Sequence, residues 1–395
     1  MFKHLFKLIW NKKKQNFLLM SEMLISFLVI FAVFTLMVYY VNNYKKPMGL
    51  DYENVWVINY NNSYQTKNTD SLNQFYETLR RSIKALPQVE ELSFCSDNTP
   101  FSQNTWQGGM TYKGKKISHI NEYRVEDSYK KTLNIQVLEG RWFDKSDAAA
   151  KNEHIIISDE MRRELFGTAP AVGQLIGDDG DKKKMLQIIG VVQGVKQKGD
   201  YLAAGNEQFG RLDTGAFHWV GKILLKVRPD ADAAFEGKLY KTVAGFLKNS
   251  NVEIEHLKEK RVHVNYFNVI PMIVLGVVSC FLIINVALGL FGVLWYNINK
   301  RRGEIGLRRA IGATGNAVSS QLIGESMVLA TLALIVGTFF AIQFPLLNVF
   351  DLEAGIYIVA LILAIIFIYV LVLICSLYPG KQAAAIYPAV ALHEE

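Results

Sequence analysis

The sequence predicts an α-helical integral membrane protein with four transmembrane helices and a large α+β extracytoplasmic domain between helices 1 and 2. Four apolar segments, each long enough to cross a bilayer, carry almost no charge. Residues 42–265, between the first and second of these segments, are of mixed composition. Lysine and arginine cluster beside only some of the segment ends, as expected of a chain with a fixed orientation in a membrane.

The four apolar segments are the strongest signal in the chain. Phe17–Val41 contains Glu22 as its only charged residue, and Val264–Asn299, Ser326–Phe350 and Ala354–Gly380 contain none. A membrane-spanning helix needs about 20 apolar residues. Buried strands rarely exceed about 10 residues, so these segments are not strands of a soluble core.

The composition places the segments in a defined order. The predicted divisions are a cytoplasmic amphipathic N-terminal segment at 1–16, TM1 at 17–41, the extracytoplasmic domain at 42–265, TM2 with a possible stalk at 266–298, a cytoplasmic loop at 299–320, TM3 at 321–344, a short outer loop at 345–355, TM4 at 356–378 and a cytoplasmic tail at 379–395. No small-x-small cleavage site follows TM1, which predicts an uncleaved anchor rather than a signal peptide. Residues 2–15 are either a surface helix or an ordinary basic flank.

The second apolar segment is longer than a membrane requires. Its uncharged run would reach about 54 Å as a helix, against a hydrocarbon core of about 30 Å. Asn265, Asn268 and Pro271 lie at its beginning. The surplus is therefore either a loop before the helix or a rigid stalk that projects from the membrane.

The positions of lysine and arginine predict the orientation of the chain. Basic residues precede TM1 and fill the loop between TM2 and TM3, whereas the loop between TM3 and TM4 carries Asp351 and Glu353 and no basic residue. Cytoplasmic loops carry the excess of basic residues. Both termini and the loop between TM2 and TM3 are therefore predicted to be cytoplasmic.

The extracytoplasmic segment alternates between strand and helix patterns. Residues 54–60, 155–157, 186–192 and 223–227 are typical of strands, and residues 71–85, 159–166 and 231–248 of helices. Ser158 or Asp159 is the expected cap of the second helix, and Gly167 its end. The polar, glycine-containing stretches 98–120 and 196–216 are expected to be loops.

Known catalytic patterns are missing from the sequence. The seven histidines show no metal-ligand spacing, and no G-x-S-x-G or G-x-x-x-x-G-K-[ST] motif occurs. Cys95 is expected to be a small buried core residue. We therefore expect a chain that is not itself an enzyme and that binds no cofactor or metal. Nucleic-acid binding is also excluded, because membrane orientation already accounts for the basic clusters.

The loop between TM2 and TM3 has an apolar pattern in addition to the basic residues that indicate its orientation. Ile305, Leu307, Ala310 and Ile311 alternate with charges, which favours a short amphipathic helix, although charge alone would fit a mere topology signal. Such a helix can dock in a groove of a soluble partner.

The stretch E-I-G-L-R-R-A-I-G-A-T at 304–314 resembles the hallmark of one family, the MacB-like and FtsX-like ABC transporter permeases. The tail at 378–392 is similar to the closing motif of the same family, with Gly380 and Lys381 as mild departures. In the domain, L-E-G-R-W-F at 138–143, Asp147 and the glycine-containing stretches at 165–167, 172–174 and 189–192 resemble the MacB-type periplasmic core in the same order.

The resemblance implies a permease subunit that works as a dimer in the bacterial cell (inner) membrane, with a second copy or a related permease. It implies a cytoplasmic ABC ATPase dimer that binds the ATP and Mg, and a coupling helix that rests on this ATPase. Its coupling residues would be Glu304, Ile305, Gly306, Leu307, Arg308, Arg309, Ala310, Ile311, Gly312 and Ala313. Arg308 and Arg309 are expected to pair with acidic residues of the ATPase. Membrane lipid and a periplasmic adaptor or outer-membrane protein are further expected partners.

Several functions fit this resemblance. The first is export or extrusion, in which motion of the ATPase drives the domain to move peptide, lipid, lipoprotein or antibiotic-like cargo. The alternative is an FtsX-like transmembrane regulator of a cell-wall hydrolase or a sensor kinase, without cargo. A membrane-anchored receptor without an ATPase is a further possibility, and a membrane enzyme finds no support in the sequence.

Overall fold

The computed structural model describes residues 13–61, 68–102, 105–177, 185–212, 217, 220–247 and 250–387. The chain divides into two compact units. The membrane unit comprises residues 1–42 and 269–395, and the extracytoplasmic domain comprises Asn43–Asn268. The expected surface helix at 2–15 falls largely on residues 1–12, which lie outside the described residues.

The extracytoplasmic domain is built on one sheet. Its strands are β1 (Val55–Tyr60), β2 (Val89–Cys95), β3 (Gln107–Tyr112), β4 (Lys115–Val125), β5 (Val137–Gly140), β6 (Glu153–Ser158), β7 (Leu175–Ile176), β8 (Leu186–Val192), β9 (Glu207–Arg211), β10 (Lys222–Val227) and β11 (Val252–His256). The order is β11-β1-β10-β2-β4-β9-β6-β8-β5, with β3 beside β4 and β7 beside β8. Parallel and antiparallel pairs are mixed, as in many α+β folds.

The two faces of the β11-β1-β10-β2 region bury different cores. Ile58, Leu225 and Phe94 point to one face, where helices α2 (Thr69–Lys84) and α5 (Ala233–Phe246) cover them. Val57 and Leu224 belong to the opposite face and to a second core. Adjacent side chains of a strand point to opposite faces, so a nearly continuous apolar strand fills both cores.

Local signals set the helix boundaries, and those of the helix at 159–166 agree with the prediction from the sequence. Helix α2 begins after Asn68, whose side-chain oxygen accepts hydrogen bonds from two backbone N–H groups. Helix α4 (Asp159–Phe166) begins after Ser158, which accepts from the Met161 N–H, and ends at Gly167 with φ +62°. A short helix, α3 (Tyr129–Leu133), lies between β4 and β5.

Both stretches expected to be loops contain strands, so those two predictions are wrong. Residues 98–120 include β3 and the start of β4, which form a hairpin. Residues 196–216 include β9, an interior strand between β4 and β6. The hairpin shifts register near His119, whose φ is +57°, and this irregularity breaks the alternation by which a strand is recognised.

The L-E-G-R-W-F stretch has a structural role in the domain. Arg141 donates to both carboxylate oxygens of Asp147, at 2.8 and 2.5 Å, and His154 Nδ1 lies 2.6 Å from Asp147 Oδ1. Burial raises the pKa of Asp147, but hydrogen bonds from Arg141, the Asp144 backbone and His154 outweigh it and hold the pKa well below its usual range. A Cβ at Gly140 would stand 2.2 Å from the Ile189 carbonyl oxygen, so only glycine fits there.

Among its described residues, the membrane unit contains four helices that are long and apolar enough to cross a membrane. They are α1 (Lys13–Lys45), α6 (Leu257–Lys300), α8 (Gly315–Leu346) and α9 (Ala354–Ala384); α1 and α6 continue into the domain. Small residues on α8 and α9 are buried between the helices and permit close approach: Ala330, Ala333, Ala360 and Ala364. Helix α6 begins at Leu257, so the segment before the second span is helical and the loop alternative is wrong.

Candidate functional site

The basic loop between α6 and α8 folds as a separate short helix, α7 (Arg302–Ala310). Predicted coupling residues 304–310 lie on α7, and Ile311, Gly312 and Ala313 form the turn that follows it. Gly312 has φ +108°, a conformation that favours glycine. The Thr314 side chain accepts from the Ala317 N–H, 3.3 Å away, and so caps α8.

One side of α7 is packed against the adjoining ends of α6, α8 and α9. Ile305 is buried in a cluster with Ile298 of α6, Val318 and Leu322 of α8 and Ala383 of α9. Gly306 is buried as well. A bulky residue at Gly306 would therefore act by displacing α7 from its seat, because this position does not belong to the exposed side.

A closed ring of polar side chains ties α7 to α8. Arg301 lies 3.2 Å from Glu304 and 3.3 Å from both carboxylate oxygens of Glu325. Arg308 donates to Glu304 at 2.6 Å and to Gln321 at 2.9 Å, and Gln321 donates to Glu325 at 3.3 Å. Because each member has two partners in the ring, we expect α7 to move together with the first turns of α8.

Arg309 fixes the other end of α7. Its guanidinium donates to the backbone carbonyls of Ala384 and Ile386, at the C-terminal end of α9. A cation at this position satisfies carbonyls left free at a helix end and opposes the helix dipole. Both Arg308 and Arg309 have partners within the chain, and their pairing with acidic residues of an ATPase stays a prediction.

The exposed side of α7 carries two large apolar side chains beside the partly exposed Glu304. Leu307 is 52% exposed and Ile311 is 79% exposed. Residues four apart lie on the same face of a helix, so these two side chains form one projecting pair. The apolar residues predicted to form one face of the helix therefore have two different roles. Ile305 packs α7 against the membrane unit, whereas Leu307 and Ile311 are exposed to solvent.

A second cluster, within the extracytoplasmic domain, was not found from the sequence. We call Lys196, Asp200, Arg261 and Asn265 the clasp. Lys196 is only 3% exposed, and its ammonium group donates to the carbonyls of Asn43 and Lys46, at and just beyond the end of α1. Burial lowers the pKa of Lys196.

The rest of the clasp holds the first turns of α6. Arg261 donates to both carboxylate oxygens of Asp200, at 2.9 and 2.8 Å, and Asn265 Nδ2 donates to Asp200 at 2.6 Å. The Asp200 N–H in turn donates to Asn265 Oδ1 at 2.8 Å. A Cβ at Gly199 would stand 2.3 Å from that oxygen, and its φ of +88° also favours glycine. One loop thus binds the end of α1 and the start of α6 within the domain.

The clasp could not be predicted from the sequence because its members are far apart in the chain. Asp200 and Arg261 are separated by 61 positions, and each is an ordinary polar residue by itself. The available signal was weak: Arg261 and Asn265 stand four residues apart, on one helix face at the start of the second apolar segment.

The clasp loop rests on a buried acid. Glu207 accepts hydrogen bonds from the Val195 N–H at 3.2 Å and from Gln197 Nε2 at 3.0 Å. Burial raises the pKa of Glu207 from 4.5 to about 8, despite these hydrogen bonds. The folded domain therefore holds this carboxyl protonated at neutral pH.

We expect the domain to lose stability as the pH rises from about 4.5 to about 8, where the unfolded chain is ionised at Glu207 and the folded chain is not. One such group changes the free energy of unfolding by about 1.4 kcal/mol per pH unit. Thermal unfolding between pH 5 and 8 should show this slope in the wild type and a weaker slope in Glu207→Gln. Equal slopes would contradict a protonated Glu207.

Other residues singled out in the sequence have structural roles or remain dispersed. Cys95 is fully buried in the domain core, and burial raises the pKa of its thiol, which makes it unreactive. Within the described part of the chain, no three histidine, cysteine or acidic side chains gather in a way that could hold a metal ion.

The fold defines a class of protein: a membrane protein with four candidate membrane-spanning helices among its described residues and an extracytoplasmic domain inserted after the first of them. Two family models match the chain. The MacB-like periplasmic core domain matches residues 17–239, and the FtsX-like permease C-terminal model matches residues 276–388. The chain belongs to the family of MacB-like, FtsX-like ABC transporter permeases.

Named relatives agree with this family. The chain is 24% identical over 254 residues to the macrolide export ATP-binding/permease protein MacB 1/2 of Paracoccus denitrificans, covering 61% of this chain but only 36% of that protein. It is 24% identical over 340 residues to the uncharacterized ABC transporter permease YvrN of Bacillus subtilis, covering 80% of this chain and 78% of that one.

Solved structures include the periplasmic region of MacB from Actinobacillus actinomycetemcomitans. It is 13% identical, covers 57% of this chain and 98% of that chain, and has a TM-score of 0.39. The extracellular domain of the noncanonic ABC-type transporter YknZ from Gram-positive bacteria covers 50% of this chain and 99% of that chain, at 16% identity and a TM-score of 0.34.

Proposed function

We propose that this chain is the permease subunit of an ABC-type export system and transmits motion from a cytoplasmic ATPase to the extracytoplasmic domain. The ATPase, a dimer, would bind ATP and Mg, and two permease copies or two related permeases would complete the assembly. The cargo would be a peptide, a lipid or lipoprotein, or an antibiotic-like molecule outside the membrane. A periplasmic adaptor or an outer-membrane protein would be a further partner.

The two-sided packing of α7 carries this proposal. Ile305 and the ring of Arg301, Glu304, Arg308, Gln321 and Glu325 fix one side of α7 to the membrane unit. The opposite side projects Leu307 and Ile311. A helix that is held firmly on one side and offers apolar side chains on the other suits docking in a groove of a soluble partner.

The clasp supports the second half of the proposal. A displacement of α7 alters the inner ends of α6, α8 and α9, because Ile305 and Arg309 contact all three. At the other end of α6, Arg261 and Asn265 bind the loop that also holds the end of α1. We infer that ATP-dependent changes in the partner ATPase shift an equilibrium between two conformational states of the permease, and that the extracytoplasmic domain responds to this shift.

An FtsX-like regulator of a hydrolase or a sensor kinase is the alternative function. It would use the same coupling device and would lack a cargo. The extracytoplasmic domain, Asn43–Asn268, is more than half of the chain and contains an eleven-stranded sheet, which favours handling of a cargo over simple signalling.

Purification with native neighbours tests the proposal. We expect a P-loop ATPase to accompany the chain, and its hydrolysis rate to change when the permease is reconstituted with it. A membrane-impermeant thiol reagent should label Ala310→Cys only from the cytoplasmic side, with both termini on that side. Labelling from the outside, or the absence of an associated ATPase, would overturn the proposal.

A further inference from the structure

A cleft of about 1180 Å³ opens within the extracytoplasmic domain and is used by none of the contacts described so far. Its floor is formed by residues of β11 and by Lys222 of β10, and its walls by the first turns of α6 and by Asp97, Phe101, Ser102, Thr105 and Trp106. Ligand sites are typically concave and of about 300–1,000 Å³, so the cleft is large enough for a small peptide.

The floor of the cleft is polar, although the face to which it belongs is otherwise a core. Glu253, Asn59 and Lys222 stand opposite one another on β11, β1 and β10, and Glu255 stands opposite Val57 on the same face. Val57 and Leu224 are buried in a core further along this face. The change from apolar to charged side chains marks where the face leaves the core and meets solvent.

Acidic groups dominate the charge of the cleft. Asp97, Glu253, Glu255 and Glu259 line it, against the ammonium groups of Lys222 and Lys260. Lys260 is already bound to Glu255 at 2.5 Å. Two more carboxylates than ammonium groups therefore remain, which gives the cleft a negative potential that attracts cations.

A tryptophan stands exposed at the wall of the cleft on a firmly held backbone. Trp106 is 75% exposed. The backbone N–H of Trp106 donates to Asn98 Oδ1 at 2.7 Å, and its backbone carbonyl accepts from Asn98 Nδ2 at 2.9 Å. Asn98 itself is only 1% exposed. The fold thus fixes the backbone of Trp106, whose indole is largely exposed. An indole beside an acidic surface can bind both an apolar group and a cation.

We propose that this cleft binds a cationic, amphipathic peptide in an extended conformation. Basic side chains of the peptide meet Glu253 and Glu259, and an apolar side chain packs on Trp106. The last strand in the sheet order, β11, places Glu253 and Glu255 two residues apart on one face, which matches the spacing of alternate side chains in an extended peptide. The inference rests on the proposed function only where it identifies this peptide as the cargo; the binding of the peptide to the cleft does not depend on that function.

The test uses the full chain in nanodiscs of uncharged phosphatidylcholine, with empty nanodiscs as the blank. The probes are Ac-Lys-Leu-Lys-Leu-Lys-Leu-amide and the corresponding Glu-Leu peptide, measured by calorimetry. The Lys-Leu peptide should bind at least tenfold more tightly. The double variant Glu253→Gln with Glu259→Gln should weaken it about fivefold, as expected of partly exposed ion pairs, and Trp106→Ala should weaken it by a similar factor.

The matched control is Glu53→Gln with Glu90→Gln, which removes two exposed carboxylates that do not line the cleft. Its affinity should equal that of the wild type. Equal affinity for both peptides, or an equal loss in the control, overturns the proposal. An unchanged affinity accompanied by an altered oligomeric state in the cleft variants also overturns it, and assigns the cleft to a protein interface. This binding experiment contains no ATPase. A failure of the peptide to bind would therefore contradict the proposal for the cleft and would leave the proposed coupling to an ATPase to its own test.

Discussion

Leu307→Asp is expected to abolish productive contact with the ATPase while leaving the fold intact. Leu307 belongs to the exposed apolar pair of α7, and it takes no part in the ring or in the buried cluster. A charge placed in an apolar interface costs several kcal/mol, and each 1.4 kcal/mol is about a tenfold change in affinity. We expect permease-dependent ATP hydrolysis to fall at least tenfold, measured in proteoliposomes that contain both subunits.

A matched control separates this loss from a general effect of charge. Ser320→Asp adds the same charge at an exposed position of α8, a different helix. It should retain most of the hydrolysis, and both variants should keep the melting temperature of the wild type. Wild-type hydrolysis in Leu307→Asp would show that α7 is not the contact with the ATPase.

Asp200→Ala should both destabilise the domain and impair coupling. Its carboxylate accepts three hydrogen bonds from Arg261 and Asn265 and is 6% exposed. Its removal leaves a largely buried guanidinium without its anion, and breaking such pairs costs up to about 3–5 kcal/mol. Arg261 retains some solvent contact, so we expect a cost of about 2–3 kcal/mol and a melting temperature lower by about 5–10 °C.

Asp230→Ala is the matched control for this variant. Asp230 pairs with Arg228 at 3.3 Å, and both side chains are more than half exposed. Surface pairs contribute about 0–1 kcal/mol, so this control should hardly change the melting temperature. Permease-dependent ATP hydrolysis should respond to cargo in the control and not in Asp200→Ala. A response in both would limit the clasp to a role in stability.

Much of the fold could be predicted because its signals are local. The uncharged run of each membrane helix and the Ser158 cap with Gly167 are complete within a few neighbouring residues. Strands β4 and β9 could not be predicted in this way. The left-handed backbone at His119 shifts the phase of β4, and β9 has one large apolar residue, Phe209, whose burial depends on neighbouring strands distant in sequence.

The helix that carries the candidate site was predicted in position, and the roles of its residues were not. Apolar residues that alternate with charges at 305–311 indicated a short helix, which the structure has at Arg302–Ala310. The roles of single residues depend on what surrounds them. Arg309 has its partners at the end of α9, 75 positions away, and the clasp joins residues from three segments. Such pairings are set by tertiary packing, which spacing along the chain does not record.

The pairing of Arg301, Arg308 and Arg309 within the chain has a consequence for the proposed docking of an ATPase. If an ATPase docks on α7, Leu307 and Ile311 would provide the uncharged features by which it distinguishes this permease from another. Discrimination would then depend on steric fit more than on Coulomb attraction. Exchanging these two side chains between paralogous permeases would be the simplest way to change which ATPase acts on which permease.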